Sequence, residues 1–298
     1  MMKAQYISPV ITVFDKHSEL DREGNICLYD FLIENGLSGV AVAGSSGEQF
    51  SMTGKQIKEL IDLSVPYIKG KMKVLIGTGR LRIDETAELC DYAANKGADG
   101  VLVMSPYYFT LSADGIYDFY DEVAKSTKAK IYLYNFPART GYSIPVKVAG
   151  KLARKHKNIV GLKDSVPGMD NTRELICEIM PHRPEFEIFS GYDENFVHNV
   201  LSGGSGCIAG LSNIVPNKCS EWERALNAGD LKTVERLQKY INRMMDIYSV
   251  CTPFIPALKK ALVLQGVIKS DRCISSFGEV TKDQEEKIRE ILGNLEVI

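Results

Sequence analysis

Eight short apolar runs, separated by segments with helical periodicity, constrain this chain more than any other feature. The runs span residues 7–14, 39–43, 74–77, 100–104, 130–134, 159–163, 186–190 and 206–209. They are short, rich in β-branched residues and closed by glycine or polar residues, which fits buried strands. Between the second and third runs, Ile57, Leu60, Ile61, Val65 and Ile68 share one helical face. Thr53 with Gln56 gives that helix a capping box, and Gly70 closes it. Lys96-Gly97 closes the helix before the fourth strand, and Ser143 with Pro145 opens the one after the fifth.

Strands alternating with helices imply right-handed βαβ units and a parallel sheet. Eight units imply a closed (β/α)8, or TIM, barrel in the α/β class. An open doubly wound sheet is the alternative. It is disfavoured because the glycine-rich loops lack G-x-G-x-x-G spacing and no acidic residue follows at the ribose-binding offset. Beyond Pro216 the pattern is wholly helical, over 217–228, 230–250, 253–266 and 279–293. The expected organisation is a catalytic barrel over 1–228 with a C-terminal helical extension, 229–298, packed on it. A chain of 298 residues suits that plan and can bury a large core without staples.

Composition removes several classes of function. The 36 basic and 38 acidic residues leave a net charge of -2, with no basic stripe for nucleic acid. Seven scattered cysteines include no C-x-x-C pair, and four histidines form no metal-ligand pattern. A reducing, cytoplasmic setting without a bound metal is expected. The stretch Met1-Met2-Lys3-Ala4-Gln5-Tyr6 has no apolar targeting region, and no run approaches membrane-spanning length. No membrane partner is expected.

Barrel chemistry sits at the C-terminal ends of the strands. The sixth run, Ile159-Val160-Gly161-Leu162-Lys163-Asp164-Ser165, ends a core strand in an amine. An amine stripped of water favours its neutral form, which can attack a ketone and form an imine. The bland alternative is a lysine snorkelling to solvent. The second strand ends in Gly44-Ser45-Ser46-Gly47-Glu48, where backbone N–H groups and two hydroxyls can form a nest for a small carboxylate, or a plain tight turn. The fourth ends in Pro106-Tyr107-Tyr108, tyrosines suited to core or interface packing.

The fifth ends in Tyr134-Asn135-Phe136-Pro137-Ala138-Arg139. Consecutive barrel strands are neighbours, so Tyr134 is expected beside Lys163, where a phenol could shuttle protons. Arg139 could hold a second carboxylate bidentately, or be a solvated surface residue. Gly191-Tyr192-Asp193-Glu194 after the seventh strand could accept hydrogen bonds from substrate hydroxyls, or cap the next helix. The glycine-rich eighth strand, around Ile208, lets a ligand approach the backbone.

The ordered set resembles the dihydrodipicolinate synthase / N-acetylneuraminate lyase family over nearly the whole chain. GSSGE resembles its Gly-Ser/Thr-Thr-Gly-Glu loop, YNFPARTG its Tyr-Asn-x-Pro segment, and GLKDS its Schiff-base lysine signature. Ser46 departs from the usual threonine, keeping the hydroxyl and losing a methyl. The resemblance implies that Lys163 forms an imine with pyruvate or a 2-oxo acid, with Tyr134 as acid/base. It implies that Ser45 and Ser46, with Gly47, bind the carboxylate and that Ile208 lines the pocket. It implies that Tyr108 reaches into a neighbouring subunit's site, in a dimer or a tetramer of dimers. The imine serves as the electron sink, and no metal or organic cofactor is implied.

The second substrate is read in two ways. Arg139 stands where the family's synthases hold aspartate semialdehyde. Gly191, Asp193 and Glu194 resemble the segment by which its sugar lyases hold hydroxyls, and Cys251-Thr252-Pro253-Phe254 resembles bacterial 2-keto-3-deoxy sugar-acid aldolases. The favoured expectation is a lyase cleaving a 2-keto-3-deoxy sugar acid to pyruvate and an aldehyde. The alternatives are dihydrodipicolinate synthesis from pyruvate and aspartate semialdehyde, and a non-catalytic 2-oxo acid sensor.

Overall fold

Hydrogen bonds close eight parallel strands into a ring, in chain order, with the last strand paired to the first. They are β1 (Gln5–Ser8), β2 (Gly39–Val42), β3 (Lys73–Gly77), β4 (Gly100–Met104), β5 (Ile131–Asn135), β6 (Ile159–Asp164), β7 (Glu187–Ser190) and β8 (Gly206–Ile208). The computed structural model describes residues 3–298. Met1 and Met2, which begin the stretch read above for a targeting segment, lie outside the described residues. The expected (β/α)8 barrel is the observed fold. No described helix is long and apolar enough to cross a membrane.

Two expectations about elements need correction. The first strand stops at Ser8 rather than running to residue 14. Pro9 has no N–H to give the ladder, and the apolar residues beyond it are buried without being a strand. There the backbone N–H of Ile11 donates to Asn213 Oδ1 at 3.0 Å and that of Val13 to Asn25 Oδ1 at 3.1 Å. The helix expected over 230–250 is also broken. It runs over Leu231–Met244 and tightens into a 3₁₀ segment, Met245–Ser249, as helix ends commonly do. The other late helices are Pro216–Ala228, Ile255–Leu264 and Lys282–Asn294.

Side chains alternate across each strand. Outward residues join a large core beneath the helices. Inward ones form a separate apolar layer of Ile7, Ala41, Leu75, Leu102, Tyr132, Phe189 and Ile208. That layer seals the barrel, so its two ends are chemically independent.

Below it lies a polar plug. Lys73 Nζ sits 2.6 Å from Glu187 Oε2, Gln5 Nε2 donates to Glu187 Oε1 at 2.8 Å, and the Tyr132 hydroxyl donates to the same carboxylate. A cavity of about 560 Å³ opens at this end. Its central lysine and glutamate satisfy one another, so it offers no reactive group. Burial pushes the Glu187 carboxyl up, but the Lys73 charge and the hydrogen bonds from Lys73, Tyr132 and Gln5 outweigh it and hold it below its ordinary value. A depressed carboxyl stabilises the fold above its unfolded value, about pH 4.3, and that contribution is lost as pH falls through the lower folded value. Acidification from about pH 7 to about pH 3 should therefore lower the melting temperature of the wild type more than that of Glu187→Gln. Equal losses would contradict this role.

Candidate active site

β6 presents Lys163 opposite Tyr134 on β5 and Phe189 on β7. Gly161, two residues earlier on the same face, abuts the Tyr132 ring inside the barrel, so Lys163 also points inward. It is 5% exposed, as is Tyr134. Lys163 Nζ donates to the Tyr134 hydroxyl at 3.3 Å and lies 4.5 Å from the ring centroid. Ser45 Oγ stands 3.3 Å from the same phenol oxygen. One hydroxyl, one phenol and one amine thus form a line across three strand ends. Hydrogen bonds of that length leave room to tighten around a substrate.

A comparison within the chain shows what is unusual about this amine. Lys259 is buried completely, and its Nζ is 2.6 Å from Glu48 Oε1. Among the described residues no carboxylate pairs with Lys163. A buried cation without a counter-charge costs on the order of several kcal/mol. Lys259 is accounted for by structure, whereas Lys163 has the Tyr134 phenol and no counter-charge.

Neighbouring polar residues fix the strand end. Asp164, fully buried, accepts from Asn135 Nδ2 at 2.7 Å, Thr172 Oγ1 at 2.6 Å and Asn171 Nδ2 at 3.0 Å. Asn135 Oδ1 in turn accepts from the Ile144 N–H at 2.9 Å. Sequence reading missed this set. The signal was present: if Lys163 points inward, Asp164 must point outward under the helices, where a buried carboxylate requires donors.

The loop after β2 is tightly turned, with Ala43 at φ +53° and Glu48 at φ +61°. Gly47 differs from expectation. Its N–H is spent on the Gly44 carbonyl at 3.1 Å, and its own carbonyl accepts from Thr12 Oγ1 at 2.9 Å. Gly47 therefore shapes the nest rather than donating into it. A Cβ there would meet Thr12 Oγ1 at 3.0 Å and the Val10 carbonyl at 3.1 Å. The N–H groups of Ser45 and Ser46 donate to no described carbonyl. Together with the two hydroxyls they leave four donors for a carboxylate. Ile208 lies fully buried in the apolar layer beneath.

The far wall comes from the loops after β5 and β7. Phe136 stacks on Tyr134 at 5.8 Å, and the exposed Arg139 guanidinium lies 5.2 Å over the Phe136 ring. Gly191 is required where it stands, because a Cβ would sit 1.9 Å from Ser165 Oγ. Asp193 does not serve as a free acceptor for substrate, and that expectation is corrected. It is 2% exposed; Oδ1 accepts from the Leu211 N–H at 3.0 Å and the Tyr6 hydroxyl, and Oδ2 from the Tyr248 hydroxyl at 2.7 Å. Glu194 is different. Its buried Oε2 accepts no hydrogen bond from a described residue, and burial, then the Asp193 charge, push its carboxyl up. Burial and Glu194 likewise push the Tyr192 phenol up, while Arg139 opposes them. Those three side chains share one electrostatic neighbourhood. Tyr108 stays outside the cluster, 77% exposed and edge-on to Phe109 at 5.0 Å.

Residues 2–295 match the dihydrodipicolinate synthetase family. The chain belongs to that family. Membership in the dihydrodipicolinate synthetase family makes it a lyase of the class I, pyruvate-dependent kind. Similar proteins include both sugar-acid aldolases and synthases. The "Probable 2-dehydro-3-deoxy-D-pentonate aldolase YjhH" of Escherichia coli is 32% identical over 96% of this chain and 95% of its own length. A 4-hydroxy-tetrahydrodipicolinate synthase of a Hydrogenobaculum species is 32% identical over 98% of each. Among solved structures, YagE of Escherichia coli in complex with pyruvate superposes with a TM-score of 0.96 at 29% identity, covering 100% of both chains.

Gly191→Ala should force β6 and the β7 loop apart and destabilise the fold by ~1–3 kcal/mol in denaturant melts. An unchanged midpoint would contradict the close packing of Gly191 on Ser165.

Proposed function

We propose that this enzyme cleaves a 2-keto-3-deoxy sugar acid to pyruvate and an aldehyde through an imine on Lys163. The observation that carries the choice of substrate is Glu194 Oε2, a buried acceptor that the protein leaves without a donor. Buried acceptors seek donors, since leaving one unmet costs ~1–3 kcal/mol. Once its side chain turns towards a bound sugar acid, a substrate hydroxyl supplies one, whereas the carboxylate of aspartate semialdehyde would repel it. The aldolase name of the YjhH relative and the pyruvate held by YagE support the same reading.

The arrangement suggests these steps. The Ser45 and Ser46 donors take the substrate carboxylate and so set the 2-keto carbon against Lys163 Nζ. Attack gives a carbinolamine; Tyr134, 3.3 Å from that nitrogen, supplies the proton with which its hydroxyl leaves as water. The protonated imine withdraws electrons from the C3–C4 bond. Loss of the C4 hydroxyl proton, with Tyr134 as acceptor, releases the aldehyde and leaves an enamine. Protonation at C3 and hydrolysis return pyruvate and the free amine. Splitting the reaction through a covalent intermediate replaces one high barrier with lower ones. The imine is the electron sink.

Arg139 favours a second reading, condensation of pyruvate with aspartate semialdehyde, because a guanidinium at the rim suits a carboxylate. Its exposed position, stacked on Phe136, makes it the weaker determinant. The exposed pair Tyr108 and Phe109, 77% and 74% accessible, supports pairing with a second copy, with Tyr108 completing the partner's site. The seven free cysteines support a reducing, cytoplasmic setting.

Lys163→Ala should lower kcat for 2-keto-3-deoxygluconate cleavage by at least about 10⁴-fold. Residual turnover near the wild-type rate would rule out the imine. Glu194→Gln should raise KM for the sugar acid about tenfold, with a smaller effect from Arg139→Ala. Turnover confined to pyruvate plus aspartate semialdehyde, with Arg139→Ala the more damaging change, would establish the second reading instead.

A further inference from the structure

We propose that the C-terminal extension shapes both halves of the pocket through two buried polar clamps, making Lys259 and Tyr248 positioning residues; this rests on the pyruvate-lyase reading above. The first clamp acts on the carboxylate nest. Glu48 directly follows Gly47 and holds the left-handed backbone, φ +61°, that turns the nest. Both of its carboxylate oxygens are taken by the extension: Oε1 by Lys259 Nζ at 2.6 Å and Oε2 by the Ser275 N–H at 2.9 Å. Lys259 Nζ also donates to the Arg272 carbonyl at 2.7 Å, and both charged side chains are fully buried.

The second clamp acts on the opposite wall. Tyr248, in the 3₁₀ segment of the extension, donates to Asp193 Oδ2 at 2.7 Å, beside Glu194 in sequence. Tyr6 of β1 and the Leu211 N–H hold the other oxygen. Gly210 makes room for this phenol, since a Cβ there would lie 2.7 Å from the Tyr248 oxygen. Gln238, also in the extension, donates to the Glu194 carbonyl at 3.3 Å. The extension thus grips the residue next to the nest and the residue next to the orphan acceptor.

Attachment alone does not explain these clamps. A buried ion pair is a poor source of net stability compared with apolar packing of the same size. It does impose direction, and a non-glycine residue in the left-handed region persists where its surroundings over-determine it. Glu48 meets both conditions. Lys259 is therefore expected to govern the pyruvate half and Tyr248 the half that binds the departing aldehyde.

The two roles separate in a borohydride-trapping titration of Lys163 with pyruvate, followed by steady-state cleavage of 2-keto-3-deoxygluconate. Glu48→Gln/Lys259→Met removes both charges and leaves neither unpaired. It should raise the pyruvate concentration for half-maximal trapping about tenfold or more, with the maximal extent of trapping kept. Tyr248→Phe should leave half-maximal trapping unchanged while raising KM for the sugar acid about tenfold. A merely structural role would lower the amount of folded enzyme and shift neither constant. Folded variants with wild-type constants would overturn the proposal. If the double variant does not fold, hydrogen exchange of the wild type decides. The amides of Gly47, Glu48 and Gln49 should exchange as slowly as those of β6, and fast exchange would refute the first clamp. A wild type that traps no pyruvate on Lys163 would overturn the lyase reading itself, and the clamps with it.

Discussion

The contact between Lys163 and Tyr134 is the constraint on which the rest of this structure depends. It is a consequence of register. Lys163 pairs with Tyr134 across β5 and β6, and period-2 alternation sends both side chains into the barrel. Shifting either strand by one residue would turn the amine or the phenol outward under the helices. Much of the surrounding polar structure opposes such a shift. Asn135 and Asp164, the next residue on each strand, are bonded to one another at 2.7 Å on the outer face. Each of these two inward residues is thus followed by an outward locking residue.

Two buried lysines differ in what holds them. Lys259 has a carboxylate partner, Glu48, in the loop after β2. Lys163 has a phenol and no carboxylate. Burial alone does not distinguish them; the partner does. The same logic separates two adjacent acidic residues. Asp193 has every oxygen engaged by protein donors, whereas Glu194 keeps one buried oxygen unengaged. In both pairs one member is fully engaged by the protein and the other keeps unmet bonding capacity.

The fold was legible in the sequence because strand runs and capping signals are local. Thr53 and Gln56 form the capping box as written, and strand order follows from alternation. That Lys163 would lie beside Tyr134 was legible because β5 and β6 are neighbouring strands. What was not legible depends on contacts between residues distant in the chain. Nothing near Asp193 marks it as occupied, since its partners Tyr6 and Tyr248 lie 187 and 55 positions away. The ion pair of Glu48 with Lys259, 211 positions apart, was hidden for the same reason. Gly47 was misread because its N–H could have pointed either way, and in the folded loop it is taken by the Gly44 carbonyl.

The most direct measurement is a crystal structure of the wild-type enzyme soaked with pyruvate. Continuous density from Lys163 Nζ to C2 of pyruvate is expected, with the carboxylate on the Ser45 and Ser46 N–H groups and the Tyr134 hydroxyl beside the new C=N bond. Pyruvate bound without a covalent link, or attached anywhere other than Lys163, would contradict the account.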